Sequence, residues 1–322
     1  MRLGRFATMK WAGLLLVGLV GCGDDTSVTG GGQTGGAGQG GNDGGSTSDG
    51  GQGPVGAGDC SAHTSSEGPD FDATEGLFTI RSESGESDFA IFGGSVHSPP
   101  SAGFQTEEAR QGQCRLLTFT QSNCTPECDL GSFCIDGGCV TPTAALDAGT
   151  LTLTGIVADP VTADDGGIGI YYWSSDNAGP YGTSATLSAT GGVTGDFNLD
   201  VCLPDALSPT SDWSQLMEAR APGEDVTLAW SNPLPGARIY TRMTTGIGTH
   251  GGISPVEVEC EGPDTGELTL PGAYLDQLFE DGWGCGECGD NQLKRYYSDD
   301  ADITQGTARF RGETSTYFFF HP

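Results

Sequence analysis

Cysteines are the residues whose number and spacing offer the most chemistry in this chain of 322 residues. Four of them form a block, Cys124-x3-Cys128-x5-Cys134-x4-Cys139. Thiolates at close spacing can bind zinc, but a zinc site usually has two close pairs and often His. The block is too short and too rich in Gly to fold around a hydrophobic core. We therefore expect two disulfides, Cys124 with Cys134 and Cys128 with Cys139.

The other cysteines extend this interpretation. Ten cysteines follow Cys22, an even number that is typical of a disulfide framework in an oxidising compartment. Cys285-x2-Cys288 could be half of a zinc site or a redox pair, but its Gly-rich surroundings do not resemble a helix start. Sequence proximity and elimination predict the remaining pairs, which are Cys60–Cys114, Cys202–Cys260 and Cys285–Cys288. The block of four also resembles the small knotted cysteine-rich repeats of extracellular proteins, over about 16 residues.

Clustered carboxylates are the second candidate site. Asp299, Asp300 and Asp302 are expected in a loop, where oxygens at alternate positions would suit Ca²⁺. The cluster lacks the Gly and the final Glu of an EF-hand loop. A solvated acidic loop without metal is the alternative, and we expect no other cofactor.

Motifs for catalysis are scarce. Asp264-Thr265-Gly266 has the spelling found in aspartic proteases, but such enzymes need two carboxylates that share a proton, and the triplet occurs once. Between two expected strands, Pro-Asp-Thr-Gly is typical of a turn. The four histidines, His63, His97, His250 and His321, form no H-E-x-x-H motif. No catalytic residue is therefore assigned.

Two aromatic clusters are the remaining candidates for a binding site. Tyr171-Tyr172-Trp173 and Tyr317–Phe320 place rings on both faces of their expected strands. Burial of both faces is the simpler interpretation. An exposed row of rings would instead form a platform for a sugar or a protein partner.

Short apolar-polar alternations separated by Gly, Pro, Asn and Asp predict an all-β fold, with a β-sandwich (immunoglobulin-like or jelly-roll-like) over 145–322 and a barrel as the alternative. Two short helices are expected, over Asp212–Ala219 and Ala273–Glu280. The expected strands are Leu77–Ser82, Asp88–Phe92, Arg115–Thr120, Leu151–Val157, Gly169–Trp173, Ala185–Ala189, Phe197–Cys202, Asp225–Trp230, Ala237–Arg242, Val256–Cys260, Glu267–Leu270, Thr307–Arg311 and Ser315–Phe320.

The charge excludes one class of partner. Thirteen Lys and Arg face 43 Asp and Glu, which gives a formal net charge of −30. A nucleic-acid-binding protein needs basic residues to neutralise phosphates, so we expect no nucleic-acid partner.

The N-terminus indicates export. Three basic residues precede a short apolar run, the layout of a secretory signal. The run ends in Leu19-Val20-Gly21-Cys22, which resembles the lipobox of bacterial lipoproteins. The resemblance implies cleavage after Gly21, lipid modification of Cys22 and anchoring in a membrane. Gly rather than Asp at position 23 favours the outer membrane, on the periplasmic or the outer side.

Composition then divides the chain. After a signal peptide at 1–21, residues 22–59 are rich in Gly and lack aromatic, Lys and Arg residues, which predicts a disordered linker. A small β region at 60–122, a disulfide module at 123–142 and the β-sandwich follow.

The expected role is therefore non-enzymatic: a lipid-anchored envelope protein that binds an unknown protein or polysaccharide. The alternatives are an extracytoplasmic hydrolase acting on glycans or peptides through loop carboxylates, and a purely structural envelope protein.

Overall fold

Among the described residues, nineteen strands and two helices form. The computed structural model describes residues 63–65, 75–83, 89–97, 105–119, 124–129, 132–135, 137–141, 143–157, 159–163, 165, 168–176, 181–244, 254–281 and 291–318. All of them belong to one unit, Gly51–Pro322. The predicted signal peptide, the lipidated Cys22, the linker, Cys60, Cys285 and Cys288 lie outside the described residues.

A mixed ten-stranded sheet is the largest element, and it has the order β10-β2-β1-β19-β18-β15-β16-β4-β3, with β7 beside β2. Neighbouring strands are antiparallel except β1 and β19, which are parallel. Its strands are β1 (Gly76–Glu83), β2 (Phe89–His97), β3 (Thr106–Gln111), β4 (Cys114–Thr118), β7 (Ala145–Leu146), β10 (Ile170–Asp176), β15 (Arg238–Thr244), β16 (Val256–Pro263), β18 (Gln292–Ile303) and β19 (Gly306–Tyr317).

Three smaller sheets complete the strand content. A four-stranded sheet has the order β12-β11-β8-β9, a three-stranded sheet has the order β13-β14-β17, and β5 pairs with β6. Their strands are β5 (Phe133–Ile135), β6 (Gly138–Val140), β8 (Gly149–Thr154), β9 (Val161–Ala163), β11 (Ser184–Gly191), β12 (Phe197–Cys202), β13 (Ser208–Pro209), β14 (Val226–Ser231) and β17 (Glu267–Leu270).

Both predicted helices are present. Helix α1 spans Trp213–Ala219, and the carboxylate of Asp212 caps it by accepting a hydrogen bond from the backbone N–H of Gln215 at 3.1 Å. Helix α2 spans Gly272–Asp281 and buries Leu275 and Leu278 on one face. No helix in the described part of the chain is long and apolar enough to cross a membrane.

Two hydrophobic cores lie on one face of the ten-stranded sheet. The first is packed with the four-stranded sheet and contains Phe78, Phe92 and Phe310. The second is packed with both helices and the three-stranded sheet, and contains Trp213 and Trp230. The predicted all-β class and β-sandwich are thus confirmed. We call the opposite face of the ten-stranded sheet the outer face.

The disulfides confirm one part of the sequence-based pairing and correct another. Cys124 bonds Cys134 and Cys128 bonds Cys139, as predicted from their proximity. Cys114 bonds Cys260. The predicted pairs Cys60–Cys114 and Cys202–Cys260 are therefore wrong.

The physical reason is strand register. Strand β4 pairs with β16 so that Cys114 lies directly opposite Cys260, although 146 positions separate them in the chain. Cys202 is also disulfide-bonded, with a partner outside the described residues.

Two strand predictions were wrong. The expected strand Thr307–Arg311 and residues 315–317 of the expected strand Ser315–Phe320 belong to one continuous strand, β19, which ends at Tyr317. The acidic cluster at 299–302 lies inside β18 rather than in a loop. The large sheet also runs across the composition boundaries, since β1 to β4 pair with strands from beyond residue 145.

Candidate binding face

The basic residues of the chain are concentrated on the outer face. Three of the thirteen Lys and Arg precede Cys22, and eight of the remaining ten lie on this face. Each of the eight follows or precedes an inward-facing residue of its strand, so alternation points its side chain outward. The other two are Arg220 and the buried Arg295. The eight are Arg81, Arg110, Arg115, Arg238, Arg242, Lys294, Arg309 and Arg311.

Strand β16 supplies the matching carboxylates. Residues 256–261 read Val-Glu-Val-Glu-Cys-Glu, and alternation places the apolar members in the core and the three Glu on the outer face. All three Glu are buried. Each accepts hydrogen bonds from one Arg and from one neutral donor. The donors are Arg242 and Gln105 for Glu257, Arg115 and Tyr240 for Glu259, and Arg238 and Tyr296 for Glu261.

The distances show how tightly these groups are held. Glu261 lies 2.8 Å from Arg238 and 2.7 Å from the hydroxyl of Tyr296. Glu259 lies 2.6 Å from Arg115, and the hydroxyl of Tyr240 donates to it at 2.8 Å. These short contacts are charge-assisted hydrogen bonds, which fix both partners.

Electrostatics keep these groups in fixed protonation states. Burial and the adjacent Glu259 raise the pKa of Tyr240 well above its ordinary value, so its hydroxyl stays a donor. Burial also raises the pKa of Glu261, although the hydrogen bonds from Tyr296 and Arg238 act in the opposite direction. Burial alone would lower the pKa of Arg238, but Glu261 raises it. The arrangement favours holding charges in place over transferring protons.

We call this region, on β18, β15, β16, β4 and β3, the ion-pair half. Lys294 and Glu313 extend it at 2.7 Å, and Arg110 with Glu107 lies at its exposed edge. Six acids pair with cations on the outer face, so this face is close to neutral within a strongly acidic protein. They are Glu107, Glu257, Glu259, Glu261, Asp300 and Glu313.

The other half of the outer face, on β10, β2 and β1, is built differently. Ile170, Tyr172 and Leu77 point outward with 49%, 52% and 38% of their surface exposed. Tyr317, on the neighbouring β19, is 44% exposed, and its hydroxyl accepts a hydrogen bond from Arg81 at 3.1 Å. Four of the seven exposed large hydrophobic residues in the described part of the chain therefore share this face.

The centre of this half is a shallow trough. Register places Gly93 between Tyr172 and Thr79, and Ser95 between Ile170 and Leu77. We define the trough by these six residues. Because Gly93 has no side chain, the outward surface drops between its two neighbours. The Thr79 hydroxyl donates to the Gly93 carbonyl at 3.4 Å.

The aromatic clusters thus divide between the two predicted roles. Tyr171 is buried and Trp173 is half-buried, whereas Tyr172 is exposed between them. Phe318 is buried beside the exposed Tyr317, and Phe319 and Phe320 lie outside the described residues.

The calcium candidates do not converge on one point. Asp299 faces inward and accepts a hydrogen bond from the backbone N–H of Asp200 at 2.9 Å. Asp300 faces outward and binds Arg309 with both oxygens, at 2.7 and 2.8 Å. Asp302 is exposed near the end of the strand. One of the three carboxylates is thus already neutralised by a cation.

Asp264 of the Asp-Thr-Gly triplet has a structural role. It lies at the turn between β16 and β17, where Gly266 has a φ of 93°. Its carboxylate accepts hydrogen bonds from the Trp230 indole and the Leu234 N–H, both at 2.8 Å, and pairs with the buried Arg295 at 2.8 Å. The turn prediction is confirmed.

The remaining predicted ligands are also engaged. The close group Cys124, Cys128 and Cys139 is oxidised in disulfides, so these sulfurs are not thiolate ligands. His97 bridges Ser95 and the Thr143 carbonyl, at 3.0 and 3.1 Å. His250 and His321 lie outside the described residues.

Comparisons with protein-family models, with curated proteins and with solved structures found no match.

Sequence reasoning did not single out the Glu ladder of β16 or the gathering of the basic residues. The Val-Glu-Val-Glu-Cys-Glu alternation is visible in the sequence and indicates a strand with one charged face. The gathering of Arg and Lys residues from six strands depends on register, which the sequence does not reveal.

Proposed function

We propose that this chain is a secreted, lipid-anchored protein of the bacterial cell envelope, in which a disulfide-crosslinked β-sandwich displays its outer face as a non-enzymatic binding surface. The observation that carries the binding role is the exposed apolar and aromatic cluster on that face. Exposed patches of this kind on soluble domains commonly mark interaction sites.

Two features support the envelope location. The Leu19-Val20-Gly21-Cys22 sequence resembles a lipobox, and several acyl chains give stable membrane anchoring. Three disulfides among the described residues are typical of an oxidising compartment. A flexible linker between anchor and sandwich would keep the outer face at a high local concentration near the envelope.

The hydrolase alternative is less well supported. Glycosidases need one carboxylic acid and one carboxylate that are free to react at the scissile bond. Glu257, Glu259 and Glu261 are neighbours on one face, but an Arg binds each of them. This arrangement supports a positioned charge network rather than a pair of reacting groups.

Mass spectrometry of the mature N-terminus, combined with membrane fractionation, tests the anchoring. We expect an acylated Cys22 and recovery in the outer-membrane fraction that needs detergent for extraction, and an unacylated Cys22→Ser chain that is extracted without detergent. An unmodified, soluble wild-type product would overturn the lipoprotein assignment.

Sedimentation with isolated envelopes tests the binding role separately. The Cys22→Ser chain should cosediment with envelopes. The substitution Tyr317→Asp, on the outer face, should reduce the fraction of this chain that cosediments. Val193→Asp is the matched control, because Val193 is also an exposed apolar residue (58%, against 44% for Tyr317) and lies outside the ten-stranded sheet. Equal sedimentation of both variants and the parent chain would contradict a binding role for the outer face.

A further inference from the structure

Gly93 has no role in packing that explains why it is glycine. A Cβ built on Gly93 would meet nothing closer than the Tyr171 carbonyl oxygen, at 3.8 Å, which is ordinary contact. Its neighbour Gly94 is different, since a Cβ there would lie 2.4 Å from both the Leu77 oxygen and the Phe78 ring. Glycine inside a strand weakens it, and often marks a site where a ligand approaches the backbone closely.

The side chains around Gly93 have the chemistry of a ring-binding site. Tyr172 stands on one side with half of its surface exposed, and Thr79 stands on the other. Tyrosine offers a flat apolar ring that can stack on the C–H face of a sugar, and a polar tip. The Thr79 hydroxyl donates to the Gly93 carbonyl and the Ser95 hydroxyl pairs with His97, but each oxygen can still accept a hydrogen bond from a sugar hydroxyl.

The trough is also uncharged, which limits its ligand. None of its six residues is ionisable except the Tyr172 phenol, although the mature chain has ten basic against 43 acidic residues. Arg309 and Arg311 of β19 lie beside Leu77 and Thr79. Arg309 pairs with Asp300 and Arg311 stacks on the Tyr296 ring, so both are engaged within the protein. A polyanion would be repelled by the acidic body of the protein. A neutral ligand meets no such repulsion, and the trough leaves no charge to be buried on binding.

We propose that the trough formed by Gly93, Ser95, Thr79, Tyr172, Ile170 and Leu77 binds a neutral glycan. A sugar ring lies over Gly93 and stacks against Tyr172. Successive side chains on one face of a strand are about 6.5–7 Å apart, so the trough accommodates adjacent rings of a chain. This inference rests on the proposed binding role of the outer face and names its ligand class.

Native affinity electrophoresis tests it with the full mature chain carrying Cys22→Ser. The probes are soluble neutral polysaccharides (hydroxyethyl cellulose, laminarin, arabinoxylan and soluble starch) and alginate as a uronate. We expect at least one neutral polysaccharide to retard the chain and alginate not to do so. Tyr172→Ala and Gly93→Val should each weaken the retardation by about tenfold. Tyr172→Ala removes the ring that stacks on the sugar, and Gly93→Val places a side chain where the sugar ring would lie.

Val193→Ala is the control, as it shortens an exposed apolar side chain outside the trough. Thermal unfolding of every variant tests folding, and Gly93→Val is expected to fold because its Cβ makes only an ordinary contact, 3.8 Å from the Tyr171 carbonyl oxygen. Three outcomes overturn the inference: no retardation by any neutral polysaccharide, retardation by alginate alone, or retardation unchanged in both trough variants. If these occur while envelope sedimentation still depends on Tyr317, the binding role stands and its ligand is a protein or peptide.

Discussion

On the ion-pair half of the outer face, every buried carboxylate faces a cation, whereas the trough half exposes uncharged rings and methyl groups. Both halves belong to one sheet and lie above comparable cores. Glu261 is fully buried beside Arg238, while Tyr172 keeps half of its surface in water. The two halves therefore differ in whether their outward side chains bind one another or remain exposed to solvent.

This contrast separates structure from function. A buried ion pair with filled hydrogen bonds fixes its geometry and cannot release a group to a ligand without a large desolvation penalty. The exposed side chain of Tyr172 beside Gly93 has no hydrogen-bond partner in the described part of the chain that a ligand would have to displace. We therefore assign rigidity to the ion-pair half and binding to the trough half.

Removing the Cys114–Cys260 disulfide should have the largest effect. The bond closes a loop of 146 residues, and the chain-entropy model gives a loss of about 5 kcal/mol in the free energy of unfolding for Cys114→Ala with Cys260→Ala. Urea denaturation followed by the fluorescence of Trp213 and Trp230, which lie in the adjacent core, measures it.

The pair Cys128→Ala with Cys139→Ala is the matched control and should leave that transition unchanged, because its loop spans 11 positions outside the large sheet. A loss below about 1 kcal/mol for the first pair would show that this crosslink does not constrain the unfolded chain as the entropy model predicts.

Glu261→Gln should cost about 3 kcal/mol, since it leaves Arg238 buried without its carboxylate. Glu107→Gln is the control in the same half, where both partners are exposed and the expected loss is under about 1 kcal/mol. Chemical denaturation of both variants measures the difference. Equal losses would mean that burial does not determine the strength of this network.

Tyr171 offers a test beneath the trough. Burial raises its pKa from 10.0 to about 12, so the folded state favours the protonated phenol. Its stabilising contribution is present below pH 10 and is lost as the pH rises from 10 towards 12. At pH 11 the wild type should have lost about 1 kcal/mol through this group, a loss absent in Tyr171→Phe.

Unfolding free energies measured from pH 8 to 11 give this comparison. Parallel pH profiles for the two proteins would show that Tyr171 ionises as freely in the folded state as in the unfolded state.

Gly93→Ala has the smallest expected effect on the free energy of unfolding, and whether that effect is positive or negative is informative. It should stabilise the fold by about 0.5–1 kcal/mol, because the Cβ is accommodated and the unfolded chain loses freedom. Gly94→Ala should destabilise it by a larger amount, since its Cβ would overlap backbone atoms of β1. Thermal unfolding distinguishes the two, and destabilisation by Gly93→Ala would give Gly93 a structural role.

Local patterns predicted the elements well. Alternation placed β12 at Phe197–Cys202 and β17 at Glu267–Leu270 with the observed bounds, and close spacing predicted the pairing inside the 124–139 block. Strand β18 was missed because two of its inward-facing positions are charged, Arg295 and Asp299, so its apolar residues do not alternate regularly.

Contacts between residues far apart in the chain could not be predicted from the sequence. Asp264 and Arg295 form a buried pair because β16 and β18 both flank β15, and nothing local to either residue indicates this. The trough could not be anticipated either, since it requires Gly93 to lie between residues from two other strands.

The parallel pairing of β1 with β19 also governs the timing of folding. Gly76 pairs with Ala308, so the first strand of the large sheet finds one neighbour only when the last strand exists. Until then, both β1 and β18 have an unpaired edge. Strand pairs between distant parts of a chain form slowly, because the entropy cost of closing the loop comes before the stabilising contacts are made. A growing chain therefore lacks the β1–β19 ladder until Ala308 and the residues that follow it in β19 have been synthesised.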